Sequence, residues 1–251
     1  VKNRCQAIKE DYAAMRMKHV TTSDISAGAK KGPTKMNIEF PAAWCATDLG
    51  DYRPCEGTYE QYPYDSIPVL DQSRFTGAFD WNDDPGDIDR DAVAKMEDLN
   101  RQLAALGLAL PRDFVTFQTH TELSEILDAV SVTACWSSVS DKPIPSPAEP
   151  GAFLIRFLTD QQDCVMWYLY LRPSGETFVV HSYYSLEDLP AEEESSAKNF
   201  WCAPSFEQFA YRFWIENLLW GELNEGHGAP LAPELADYLA HYQRGQGEPS
   251  L

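Results

Sequence analysis

Residues 152–182 read AFLIRFLTDQQDCVMWYLYLRPSGETFVVHS, and they decide the fold. Three runs rich in β-branched and aromatic residues stand in it, at 152–158, 165–171 and 177–182. Asp160-Gln161-Gln162-Asp163 turns the first run into the second, and Pro173-Ser174-Gly175 makes a hairpin turn into the third. The expected product is an antiparallel meander. Its strands are apolar on both faces, so both faces need cover.

One cover lies downstream. Ser205 and Gln208 form a capping box behind Pro204, and Phe206, Phe209, Ala210, Phe213, Trp214 and Leu218 trace a helical face over 205–222. Tyr211, Ile215 and Trp220 extend that face. Only Gln208, Arg212 and Glu216, spaced by four, make a polar strip, and Arg212 and Glu216 are placed to pair. A second cover lies upstream, where Ala92, Met96, Leu99, Leu103 and Leu106 recur at helical spacing. Asp89 or Asp91 caps this helix and Gly107 ends it. A further helix starts at Pro111, and a third at 121–129 buries Leu123, Ile126 and Leu127. The four prolines of 142–150 predict a stiff extended connection, and 233–242 a last short helix. Residues 40–90 suggest short strands or ordered loops clamped by Trp44, Tyr52, Tyr62, Phe79 and Trp81. The fold class is therefore α+β: a meander packed by the helices at 92–106 and 205–222, with an irregular N-terminal region. Four regions are expected: a basic arm or leader (1–35), an aromatic, Pro- and Gly-rich region (36–90), the α+β domain (91–222), and a C-terminal helix and tail (223–251).

The 251 residues carry 20 basic and 39 acidic side chains, a formal charge of −19. The first 35 residues hold eight basic and three acidic ones, so the remaining 216 hold 12 against 36, a net of −24. That balance disfavours nucleic acid and anionic membranes, and suits a basic protein partner. No run approaches the roughly 18 apolar residues of a membrane span, and 1–20 lack the apolar core of a secretory leader. The six cysteines show no Cys-x-x-Cys spacing and no neighbouring His, which predicts buried reduced thiols and a cytoplasmic protein. The five histidines are scattered and suggest no metal site. No nucleophile elbow, zinc-helix motif or phosphate-binding glycine loop occurs, and no cofactor is expected.

Three groups of residues admit a chemical reading beside a structural one. Cys164 as nucleophile with His181 as base and Asp160 or Asp163 behind it is the enzymatic reading. A turn centred on Ser174 and Gly175 sets Tyr168 opposite His181, which leaves Cys164 more than about 10 Å from the imidazole at 3.4 Å per residue. Asp80, Asn82, Asp84 and Asp91 follow part of a calcium-loop spacing, or else form an acidic turn and helix cap. Glu187, Asp188, Glu192, Glu193 and Glu194 form an acidic loop, either merely solvated or a lure for a basic partner, with Asp160 and Asp163 as a secondary contact. Trp167 and Trp201 are candidate interface anchors, or core.

The Leu110-Pro111-x-x-Phe114 helix start, the strand Leu154-Ile155-Arg156-Phe157 and the hairpin from Trp167-Tyr168-Leu169-Tyr170-Leu171 to Phe178-Val179-Val180 follow in this order. With the closing Ser205-Phe206-x-x-Phe209 helix, they resemble the SUKH superfamily over about residues 92–222. The family includes a yeast cell-wall-synthesis regulator and bacterial proteins encoded beside polymorphic toxins. The resemblance implies an α+β domain that acts by binding proteins, as toxin-immunity proteins do. The chain departs from the family at 160–164, where members more often place glycine, and its first 90 residues have no counterpart. The rival reading is a small-molecule enzyme, tailoring or hydrolytic, with a pocket between the N-terminal region and the sheet.

Overall fold

The computed structural model describes residues 38–187, 189, 199–224, 226 and 230–244. All but the first two fall within one compact unit, Phe40–Leu251. The fold is α+β. A short hairpin, β1 (Ala43–Ala46) and β2 (Glu60–Pro63), precedes three helices: α1 (Arg90–Ala104), α2 (Arg112–Thr119) and α3 (Thr121–Val130). Strands β3 (Cys135–Ser137), β4 (Ile144–Pro145), β5 (Phe153–Asp160), β6 (Met166–Leu171), β7 (Thr177–Ser182) and β8 (Phe200–Ala203) follow. Helices α4 (Phe206–Asn224) and α5 (Pro233–Arg244) close the chain. The main sheet runs β3-β5-β6-β7-β8, antiparallel throughout, with β4 also on β5.

The expected meander is present, with its last hairpin in a different register. Trp167, not Tyr168, pairs with His181. The loop Pro173-Ser174-Gly175 has three residues, closed by Arg172 N–H donating to Glu176 O at 2.9 Å, with Gly175 in the left-handed region at φ +86°. A three-residue loop shifts every pairing by one and so exchanges the faces. Trp167, Phe157 and Val179 thus share the face under α4, where Phe206, Phe209 and Phe213 pack edge-on against Phe157 and Trp167. Phe114 and Phe117 of α2 join the same cluster through Phe206. Leu154, Tyr168, Tyr170, Phe178 and Val180 line the opposite face, covered by Phe40, Ile144, Tyr184 and Leu186.

Met96, Leu99 and Leu103 are buried as the α1 stripe predicts, but Leu106 lies beyond the helix and is 46% exposed. Asp89 is the cap, accepting from Asp91 and Ala92 N–H at 2.8 and 3.3 Å. Helix α1 packs chiefly on α2, a layer outside the sheet; α4 is the helix that touches β7 and β8. The polar strip of α4 is buried: Gln208, Arg212 and Glu216 all lie inside. Arg212 and Glu216 do not bond to each other. Glu216 instead takes a bidentate pair from Arg53 at 2.7 Å, Trp44 Nε1–H at 2.7 Å and Tyr238 O–H at 2.6 Å. Arg212 donates to Tyr238 Oη and Pro68 O, both at 2.8 Å. Three side chains, Trp44, Arg53 and Tyr238, thus satisfy one buried carboxylate with four hydrogen bonds, which ties α5 and the N-terminal hairpin to α4.

Candidate protein-interaction surface

The expected site residues separate in the structure. Asp160 is buried, and its Oδ1 accepts the N–H groups of Cys164 and Val165 at 2.6 and 3.2 Å: it closes the strand turn and is not presented to a partner. Trp167 is 1% exposed, wedged among Tyr59, Phe209 and Phe213. Trp201 is half-buried, with Tyr64 set edge-on 4.6 Å away. Asp163 is exposed, in the left-handed region at φ +52°, and accepts from Thr159 Oγ1 at 3.1 Å. Glu187 pairs with Arg156 at 2.9 Å. Asp188, Glu192, Glu193, Glu194 and the basic arm 1–35 lie outside the described residues.

The catalytic alternative does not assemble. Cys164 is disulfide-bonded, which corrects the expectation of reduced thiols at that position and removes the nucleophile; Cys45, Cys55, Cys135 and Cys202 are free. His181 is fully buried, stacked on Phe200 at 5.1 Å, and burial holds its pKa down at about 3, so it stays neutral and remote from solvent. The N-terminal hairpin is in direct contact with the sheet and with α4: Tyr59 packs on Trp167, Gln61 Nε2 lies 3.1 Å from His181 Nε2, and Trp44 packs on Phe209. The residues of the calcium alternative are engaged in the loop itself. Asp84 caps Gly86 N–H, Asn82 donates to Asp84 O, and no group of His, Cys, Asp or Glu among the described residues is placed to hold a metal ion.

Those same acidic residues form part of a surface. Glu207, at the start of α4, grips the N–H groups of Gly77 and Phe79 at 2.6 and 2.7 Å, which fixes the chain entering the loop. Farther on, Leu123 N–H donates to Pro85 O, Thr121 N–H to Asp87 O and Asp89 N–H to Thr119 O. Gly86, at φ +78°, lies so close to the start of α3 that a Cβ there would stand 2.6 Å from Glu122 N. The acidic loop is therefore a rigid extension of α3. Along α3, Glu122, Glu125 and Asp128 recur every three residues, are all exposed, and have no basic residue on the helix beside them. With Asp83, Asp84 and Asp87 they make a ridge of six carboxylates, none in an ion pair among the described residues.

Apolar side chains mark both ends. Ile88, bridged to His120 just before α3, is 64% exposed. At the other end Asp128 accepts Ser137 N–H and Oγ–H at 2.7 Å, which sets the edge strand β3 and its Trp136, 46% exposed, next to the helix C-terminus. Trp136 pairs across the strands with Thr159, whose hydroxyl holds Asp163, so Asp163 adds a carboxylate at this end. The helix between the two ends is about 15 Å long at 1.5 Å per residue. The helix and its buried side are legible in the sequence; the outer stripe as a site, and Trp136, are not. Comparison with protein-family models, curated proteins and solved structures finds no match. Among the described residues no helix is long and apolar enough to cross a membrane.

Proposed function

We propose that the chain is a non-catalytic protein-binding module whose acidic ridge contacts a basic protein partner. The observation that carries the reading is α3. Its carboxylates repel one another at three-residue spacing, and Asp128 sits at the end where the helix dipole disfavours an anion. A stripe of this kind, without a cation partner among the described residues, costs stability in the isolated chain, and a cationic surface laid along it offsets that cost. Trp136 supplies what charge alone lacks: a large aromatic group that gains by losing water at the contact. Long-range attraction from the ridge then sets the association rate, and Trp136 and Ile88 set the dissociation rate. A toxin-immunity role is one form of this reading and rests on the SUKH resemblance alone.

Affinity capture from the source cell with three baits tests it: the native chain, Trp136→Ala, and the triple variant Asp87→Asn, Glu122→Gln, Glu125→Gln. The native chain should capture a basic protein. Trp136→Ala should weaken that complex by about 30-fold or more, on the scale of 2 kcal/mol for an interface anchor. The triple variant should associate more slowly and show a flatter salt dependence. Equal capture by all three baits would reject the ridge.

A further inference from the structure

On the sheet face away from α4 lies an open groove of about 450 Å³, between the chain leading into β4 and the residues that follow β7. Its lining differs in charge from the rest of the molecule. Residues 36–251 hold only 12 basic side chains, yet Lys142 and Arg156 both line this groove and Lys95 stands at its rim, donating to Val139 O at 3.3 Å. Lys142 is exposed and has no ion-pair partner among the described residues. Arg156 is held from below, its Nε–H donating to Ser138 O at 3.3 Å, so the guanidinium is fixed in orientation. Ser140, on the groove wall, is 6% exposed, and its hydroxyl is buried with no hydrogen-bond partner among the described residues. A buried hydroxyl without a partner is rare in a folded protein and points to a group that completes it.

One oxyanion is already there. The Glu187 carboxylate lies 2.9 Å from Arg156, and stands in for the carboxylate of an external ligand. We propose that this groove binds a small monocarboxylate with an apolar body. Arg156 and Lys142 take the carboxylate, Ser140 Oγ–H adds a hydrogen bond, and Pro143 and Ile144 receive the apolar part. Glu187 competes for the guanidinium and is displaced on binding. Asp141, 3.4 Å from Lys95, and Glu187 leave the groove near neutral, which favours a single negative charge over a phosphate dianion. This site is independent of the acidic ridge: neither α3 nor Trp136 lines it.

Nuclear magnetic resonance titration of the full chain tests the proposal, following Ser140 N–H and Arg156 Nε–H. The probes are 3-methylbutanoate, its amide, inorganic phosphate, and N-acetyl-alanyl-leucine with a free or an amidated C-terminus. The carboxylates should shift both signals saturably, with the amides and phosphate at least tenfold weaker. Glu187→Gln should tighten carboxylate binding about tenfold, and Lys142→Gln and Ser140→Ala should each weaken it severalfold. Tighter binding of the free-ended dipeptide makes the natural ligand a peptide terminus, and tighter binding of 3-methylbutanoate makes it a free acid. No saturable shift with either carboxylate, equal binding of acid and amide, phosphate binding as tightly as the carboxylates, or a Glu187→Gln variant no tighter than the native chain would each overturn it. All three substitutions lie on the groove and outside the core packing of α4, and a retained amide spectrum confirms that each variant is folded.

Discussion

At Glu216 two energies oppose each other. Burial alone would raise its carboxyl, but Arg53, Arg212 and the Tyr238 hydroxyl hold it below the usual carboxylate range. The anion is thus the native form, and removing one partner strands a charge in the core. Arg53→Met should destabilise the fold by about 3–5 kcal/mol, whereas pairing it with Glu216→Leu should restore part of that loss. Urea unfolding of the two variants checks the difference, and equal losses would mean the pair is not coupled. His181 gives a pH dependence of definite sign. Its folded pKa of about 3 lies below the ordinary 6.5, so below 6.5 the unfolded chain takes up a proton that the folded chain refuses. Its contribution is complete above 6.5 and is lost as pH falls toward 3. Between about pH 5.5 and 7, where histidine is the side chain that titrates, stability should fall with acidification. His181→Leu should flatten that slope; an unchanged slope would show that the imidazole is charged in the fold. Burial raises Asp160 and Glu207, which act with the opposite sign at lower pH, so the upper window isolates His181.

At the level of elements, the acidic loop and α3 act as one body because Gly86 allows it. Gly86→Ala meets two obstacles: φ +78°, which an L-residue rarely adopts, and contact with Glu122 N. It should cost about 2 kcal/mol or more and weaken partner binding, through position rather than charge. Measuring stability and affinity on the same variant separates the two: lost stability with intact affinity would mean that the loop is no part of the surface. The same elements show what was readable beforehand. The meander and α4 announce themselves because their apolar residues repeat along contiguous sequence, and repetition is what burial of a strand or helix face imposes. The hairpin register did not follow, since Pro173-Ser174-Gly175 serves a two- or a three-residue loop equally well, and only the backbone bond from Arg172 to Glu176 decides. Glu216 stood out as part of a polar strip, but its true partner Arg53 is 163 residues away, beyond any periodicity. Strand β3 has three residues, too few for an alternation to show, so Trp136 gave no signal. The stripe Glu122, Glu125, Asp128 stands in the sequence at helical spacing, but any solvated helix face carries the same pattern, so spacing alone does not single it out.

For the molecule as a whole, one variable should move stability and association in opposite directions. Residues 36–251 carry a net of −24, and the six ridge carboxylates have no cation bonded to them among the described residues. Neighbours three apart on a helix stand about 5–6 Å from one another, inside the Debye length of roughly 10 Å at 0.1 M salt. Added salt therefore screens a repulsion that the folded chain concentrates and the unfolded chain disperses. The principal buried attraction, Arg53 with Glu216, is 2% exposed on both sides and is insulated from that screening. Raising sodium chloride from about 10 mM to about 300 mM should accordingly raise the melting temperature by a few degrees. The triple variant Asp87→Asn, Glu122→Gln, Glu125→Gln should start higher and gain less, because part of the repulsion is already gone. For the complex with a basic partner the same salt step should slow association, most strongly for the native chain. Calorimetry and stopped-flow mixing on the same two proteins measure both slopes. A melting temperature that falls with salt in the native chain would show that exposed attraction outweighs the repulsion, and the acidic ridge would then need no partner to balance it.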